Sequence, residues 1–271
     1  MKNIFTSIIF LFIVNFTYAS IDAKVSYEKT EKGYKIVAYN NEYCPVSFKI
    51  NFKTTNLKLK EVNNSIYVIP AQTKDFEVTN LDIISANKPY SISFSSIMNY
   101  GDAKLKLTTS TYIYDLPFKK GEEFIVWQGY NGSFSHQNES SLDFNMPTGT
   151  EIYAAREGII VFVEQSNTKN CETKDCAKFN NYILVYHSDG TFASYVHIKK
   201  DGSVVKVGDT IDKNQLIGYS GNVGWSTTAH LHLVIYKQDL DKRITLKTKF
   251  LIGDGTKSEF LQEKKTYIKN Y

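Results

Sequence analysis

Val46-Ser47-Phe48-Lys49-Ile50-Asn51-Phe52 alternates apolar and polar side chains without a break. That is the period of a strand with one buried and one wet face, because successive side chains of an extended chain point to opposite sides. Working outward, Tyr90, Ile92 and Phe94 alternate with serines, and shorter runs at 34–39, 66–69 and 76–78 are separated by Asn, Gly and Lys clusters that read as turns. Residues 20–115 are therefore expected to form an accessory unit of about six or seven antiparallel strands, packed as a β-sandwich. The stretch 105–121, with Leu116-Pro117-Phe118 and Lys119-Lys120-Gly121, reads as a connection. Strand signals resume at 151–155, 158–164, 181–187, 191–198 and 230–236, with Gly-containing turns between them. No apolar i, i+3, i+4, i+7 pattern persists, so the chain is expected to be all-β, with a second β unit over 120–250 and a tail over 251–271.

Composition bounds the function. The 271 residues are 42% hydrophobic and 22% charged, which is ordinary globular composition and excludes a disordered, collagen-like or disulfide-dense chain. The formal charge is only +4, and Arg156 and Arg243 are the only arginines. Base reading through guanidinium forks is thus not expected, and nucleic acid is not an expected partner. Met1 to Ala19 carries Lys2, an apolar stretch from Ile4 to Val14 and the small-residue end Thr17-Tyr18-Ala19. This pattern reads as a signal peptide over 1–19, so the protein is expected to be exported, periplasmic or secreted, with no stable membrane insertion after cleavage. Cys171 and Cys176 enclose a polar tip, Glu-Thr-Lys-Asp, and export makes a disulfide the expected state; half a metal site is the other reading. Cys44 is left over and reads as a buried thiol.

The five histidines, His136, His187, His197, His230 and His232, all lie in the second half of the chain. In His230-Leu231-His232-Leu233, strand spacing puts both imidazoles on one face and both leucines on the other. His197 follows Tyr195-Val196 and is expected on the face of Tyr195, while His136 and Asp143 lie just ahead of the first expected strand of this half. Four histidines and a carboxylate from three segments suffice for a zinc site with two His and one Asp as ligands and two His to spare, the open form that catalytic zinc takes. His187, beside Ser188-Asp189-Gly190, reads as a strand-end polar residue. The insertion 165–180 reads as a solvated loop or as a cleft wall, and Trp225 as a groove or core residue. Ser166-Asn167-Thr168-Lys169 fits S-x-x-K but lacks its companion motifs, and H-E-x-x-H, G-x-S-x-G, P-loop and G-x-G-x-x-G are absent.

The second half resembles the M23 (LytM- or lysostaphin-type) zinc metallopeptidases, which cut peptides of the bacterial cell wall. The resemblance runs from Asp143 through Met146-Pro147-Thr148-Gly149-Thr150, Tyr195-Val196-His197-Ile198, Val207-Gly208-Asp209-Thr210-Ile211 and Ile217-Gly218-Tyr219-Ser220-Gly221 to His230-Leu231-His232. It implies a LytM-type antiparallel β-sheet peptidase over 120–250, one Zn2+ held by His136, Asp143 and His232, His197 and His230 as catalytic histidines that do not ligate, and peptidoglycan peptides as substrate. This chain departs from the family pattern in three places. His136 and Asp143 are seven positions apart rather than four, Asn214 replaces a turn glycine, and Thr228-Ala229 precedes His230 where the family has Gly-Pro. A silent wall-binding or regulatory module, or a peptidase of an exported protein, are the competing functions.

Overall fold

The alternation at 46–52 belongs to the strand Val46–Thr55, which pairs along its whole length with Ser91–Tyr100 and at one end with Ile66–Ile69. This three-stranded sheet faces a four-stranded one ordered Ala23–Thr30, Gly33–Asn40, Thr73–Ile83, Leu57–Leu59. Between them the inward-facing Ile36, Ala38, Val46, Phe48, Ile50, Ile69 and Leu81 form a closed apolar core. The computed structural model describes residues 21–271, so the expected signal segment 1–19 lies outside the described residues.

The rest of the chain is built on a nine-stranded sheet. Its order is Thr210–Ile211, Gly158–Glu164, Tyr182–Tyr186, Phe192–Val196, Leu231–Gln238, Ser141–Phe144, Glu123–Gln128, Thr266–Ile268, with Arg243–Thr245 beside Leu231–Gln238. A small sheet of Glu151–Tyr153, Leu216–Ser220 and Ile198–Ser203 lies against one of its faces. Ile160, Ile183, Val185, Tyr195, Leu231, Leu233 and Ile235 from the large sheet meet Ile152, Ile198 and Ile217 from the small one in the main core. Among the described residues, one 3-10 turn, Lys174–Phe179, is the only helical element, and no helix is long and apolar enough to cross a membrane. The architecture is all-β, as the periodicity implies.

Two expectations about the edges of this unit change. Residues 105–121 were expected as a connection, but Tyr114, Leu116 and Phe118 are fully buried in the main core, and Ile113–Tyr114 pairs with Lys249–Ile252. Residues 251–271 were expected as a tail, but Thr266–Ile268 forms the edge strand beside Glu123–Gln128. Lys269 Nζ donates to Leu116 O at 2.8 Å, and Tyr271 Oη accepts from Leu116 N–H at 3.0 Å. Connection and tail thus hold each other, through hydrogen bonds that a period-based reading has no means to see.

A third apolar cluster joins the N-terminal sheets to the large sheet. Val161, Leu184, Phe192, Val234 and Tyr236, on the face of the large sheet opposite the main core, pack with Cys44 and Tyr100. The Cys44 thiol is free and buried, and desolvation pushes it up to about 12. Phe192 is the centre of this contact, stacked on Tyr236 with ring centroids 5.5 Å apart and tight against the backbone at Gly101. Phe192→Ala is expected to destabilise the protein by about 3–5 kcal/mol, as for a buried aromatic removed from a packed core, read as a lower urea midpoint.

Candidate metal centre

The site is assembled by strand register. Asp143 in Ser141–Phe144 sits directly opposite His232 in Leu231–Gln238, and His232 sits opposite Val196 in Phe192–Val196. On the other side Asp143 is opposite Gln128 in Glu123–Gln128. Side chains opposite one another on one face of a sheet are neighbours, so this row brings polar groups distant in sequence into contact. His136 comes from the loop between Glu123–Gln128 and Ser141–Phe144; the strand Glu123–Gln128 precedes it and Asp143 lies within a strand, which corrects the expectation that both stand ahead of the first strand.

His136, Asp143 and His232 converge so that their ligand atoms all lie within 4.8 Å of one another. The three edges are His136 Nε2 to His232 Nδ1, 3.2 Å, His232 Nδ1 to Asp143 Oδ1, 2.9 Å, and His136 Nε2 to Asp143 Oδ2, 3.3 Å. Three atoms bound tetrahedrally to one ion at roughly 2.0–2.1 Å would lie about 3.3 Å apart, so the donor set fits a zinc-sized cation in spacing as well as in chemistry. Burial alone would raise the Asp143 carboxyl, but hydrogen bonds from His136 and His232 hold it well below its ordinary range, as a carboxylate. Burial opposes protonation of His136, yet its hydrogen bond to Asp143 raises it overall. Loading a metal here therefore displaces a proton.

His197 and His230 stand beside this triangle, with ring centroids 4.5 Å apart. His197 Nδ1 donates to Val223 O at 2.7 Å and His230 Nδ1 donates to Thr228 O at 2.8 Å. A carbonyl oxygen can only accept, so in each neutral ring the proton sits on Nδ1 and the Nε2 lone pair is free. Burial, reinforced by the neighbouring His230 and His232, pushes His197 down to about 3, which keeps it neutral. Thr228, standing where the family has glycine, supplies through its backbone the carbonyl that orients His230. His136 follows the same rule, with Nδ1 on Gly129 O at 3.0 Å and Nε2 left for the ion.

His197 corrects one expectation. Tyr195 is fully buried in the main core, whereas Val196 and His197 both line the cleft. The reason is that His197 has φ of 69°, a left-handed conformation that breaks the strand's alternation and turns the ring to the other side. His230 and His232 share the cleft face, with Leu231 and Leu233 in the core, as their spacing implies.

All five groups open into a cleft of about 890 Å³. Trp127, Phe134 and Lys264 line it, as do Lys174, Asn180 and Trp225. The insertion 165–180 is thus a cleft wall, and Trp225 lines the groove. Trp225 Nε1 donates to Glu172 O at 3.0 Å and its backbone N–H to Asn180 Oδ1 at 2.9 Å. Gly224, at φ of 88°, packs so closely on Asn180 that a Cβ would lie 1.9 Å from Oδ1, so only glycine allows this seam. Cys171 and Cys176 face each other in the same wall with Cα atoms 5.8 Å apart. No described residue of 21–100 lines the cleft, so the N-terminal sheets leave it open. Gln128, which sequence reasoning missed, lines it too and donates to Asp143. A glutamine ending an apolar strand carries no motif, and only the pairing register brings it to the site.

The all-β fold thus brings a His-Asp-His group that could hold a metal ion, with two further histidines beside it, into an open cleft. Residues 137–244 match the model of Peptidase family M23, so this segment is similar to that family. The match begins one residue after His136, which joins the site by geometry. The chain is 35% identical over 95 residues to an uncharacterized metalloprotease of Buchnera aphidicola subsp. Baizongia pistaciae, covering 35% of this chain and 22% of that one. It is 33% identical over 93 residues to the peptidoglycan DD-endopeptidase ShyA of Vibrio cholerae, covering 34% and 19%. It is 34% identical over 117 residues to the glycyl-glycine endopeptidase ALE-1 of Staphylococcus capitis, covering 42% and 28%. The chain thus spans between a fifth and little more than a quarter of the length of these relatives.

His187 is not part of the cleft. It is fully buried, with Nδ1 donating to Glu157 O at 2.7 Å and Nε2 without a partner. Desolvation first, and the Arg156 charge second, push it down to about 4 from 6.5. The folded state therefore binds fewer protons than the unfolded one between these values, and stability falls as pH drops from about 6.5 to about 4. At about 1.4 kcal/mol per pH unit the loss is on the order of 3 kcal/mol. His187→Gln is expected to lose less stability than the parent over that interval, measured as urea midpoints at pH 7, 5 and 4.

Proposed function

We propose that this protein is an exported zinc endopeptidase that hydrolyses peptide bonds in bacterial cell-wall peptidoglycan. His136, Asp143 and His232 are the proposed metal ligands, and His197 and His230 the proposed proton-handling residues. The observation that carries this reading is the convergence of three possible ligand atoms beside two imidazoles whose Nδ1 atoms are held by backbone carbonyls, in an open cleft. The names of the relatives agree with it, one being a peptidoglycan DD-endopeptidase and another a glycyl-glycine endopeptidase. The donor set of two imidazole nitrogens and one carboxylate oxygen suits zinc, with a position left for water or substrate. When bound, the ion lowers the pKa of water toward about 7 and polarises a carbonyl.

The protein's own groups do the remainder. His197 and His230, held in one tautomer by backbone carbonyls, accept the proton released as water adds to the peptide carbonyl and return it to the departing amine. Trp225 and Phe134, which both line the cleft, help to position the peptide. The segment 1–19 is proposed to be removed on export, residues 20–115 to act as an accessory unit, and Cys171 and Cys176 to be bonded in the oxidising compartment that export reaches.

Purified peptidoglycan is expected to be cleaved by the protein, with cleavage lost on chelation and restored by Zn2+. A loaded protein that releases no fragments would sink the enzyme reading in favour of a binding module. His232→Ala is expected to lose both metal and hydrolysis. His230→Ala should keep most of its metal while hydrolysis falls by about 10²–10⁴-fold, the usual worth of a general acid–base group. Metal content by atomic emission checks this, and a metal-free His230→Ala protein overturns the ligand assignment.

A further inference from the structure

His136 and Asp143 are seven positions apart, so the chain between them is too long to fix their relative position by itself. Gln128 supplies the missing tie. It ends the strand Glu123–Gln128 in the row that contains Asp143 and His232, and its side chain is buried with every hydrogen-bonding position filled. Nε2 donates to Asp143 Oδ2 at 2.9 Å and to Ser135 Oγ at 2.8 Å. Oε1 accepts the backbone N–H of Phe134 at 3.1 Å and of Ser135 at 2.9 Å. Only this amide orientation is tenable, because a flipped amide would set NH2 against two N–H donors and oxygen against a carboxylate. The loop wraps closely around it: a Cβ on Gly132 would lie 2.4 Å from Gln128 Cγ.

Resting on the metal-centre reading above, we infer that Gln128 is the positioning residue of the site: one amide aims the Asp143 carboxylate and pins the loop that presents His136. His232 Nδ1 already holds Oδ1, and the bond from Gln128 at Oδ2 fixes the second oxygen, and with it the plane of the carboxylate. The bonds to Phe134 and Ser135 fix the loop one residue before His136, whose ring is then locked by Gly129 O. Both ligands are held before an ion arrives. Groups that orient metal ligands from behind typically contribute 10–100-fold to metal affinity.

The test uses the full-length protein and its Gln128→Met variant, titrated with Zn2+ in competition with a chromogenic chelator and with Co2+ followed by visible absorption. Gln128→Met is expected to bind Zn2+ about 10–100-fold more weakly and to change the Co2+ spectrum at saturation, because the carboxylate meets the ion at a different angle. Gln128→Glu can keep both backbone loop bonds at its carboxylate while it loses the donations to Asp143 and to Ser135 Oγ and sets a second carboxylate against Asp143, so it tests the tie where Gln128→Met does not fold. Its Co2+ spectrum is also expected to change. An unaltered spectrum in Gln128→Glu, or unaltered Zn2+ affinity and spectrum in Gln128→Met, overturns the inference while leaving the metal centre standing. A parent protein that takes up neither ion overturns both.

Discussion

Four antiparallel strands are held in a register that sets Gln128 beside Asp143, Asp143 beside His232 and His232 beside Val196. The side-chain period of a strand is two, so a slip of one residue would send every member of this row to the opposite face. What prevents the slip is the apolar set interleaved with it. Leu142, Phe144, Leu231 and Leu233 are buried in the main core, and moving any one of these strands by a residue would expose its apolar set to water. The polar row therefore owes its position to the hydrophobic row on the other side of the same sheet.

The same economy governs protonation. Three of the four cleft histidines donate Nδ1–H to a backbone carbonyl, of Gly129, Val223 or Thr228. Each of these carbonyls lies outside the strand ladders and has a lone pair for the ring, although Gly129 O also accepts Gly132 N–H and Thr228 O the Ser226 hydroxyl. Fixing the tautomer fixes which nitrogen faces the cleft, and the fourth histidine, His232, is oriented instead by the carboxylate beside it. Burial is then the largest cause that disfavours extra protons on His197 and His232, with neighbouring positive groups adding to it.

Much of this arrangement is legible in the sequence, for identifiable reasons. The strands Val46–Thr55 and Leu231–Gln238 alternate over enough residues for period two to stand out, and the two histidines of His230-Leu231-His232 share a face by that period alone. Glu123–Gln128 escapes because Phe124-Ile125-Val126-Trp127 is apolar throughout, and Lys257–Glu259 and Thr266–Ile268 are too short to show a period. The face of His197 is misread because a single left-handed residue cancels the alternation that precedes it. Gln128 is silent for a different reason: its significance lies in cross-strand register, and register joins residues that the sequence separates.

The apolar cluster shared by Cys44, Tyr100, Phe192 and Tyr236 has a bearing on order of assembly. Cys44 and Tyr100 precede Phe192 and Tyr236 in the chain, so their share of that cluster stays wet until the large sheet forms. The reverse holds for any shortened chain confined to the family-matched segment 137–244, which would carry Val161, Leu184, Phe192, Val234 and Tyr236 onto its surface and lose the strand bearing Gln128. An uncovered patch of that kind is an invitation to self-association. The family-matched segment here is a functional address within a larger folding unit, and its borders do not mark where the polypeptide can be cut.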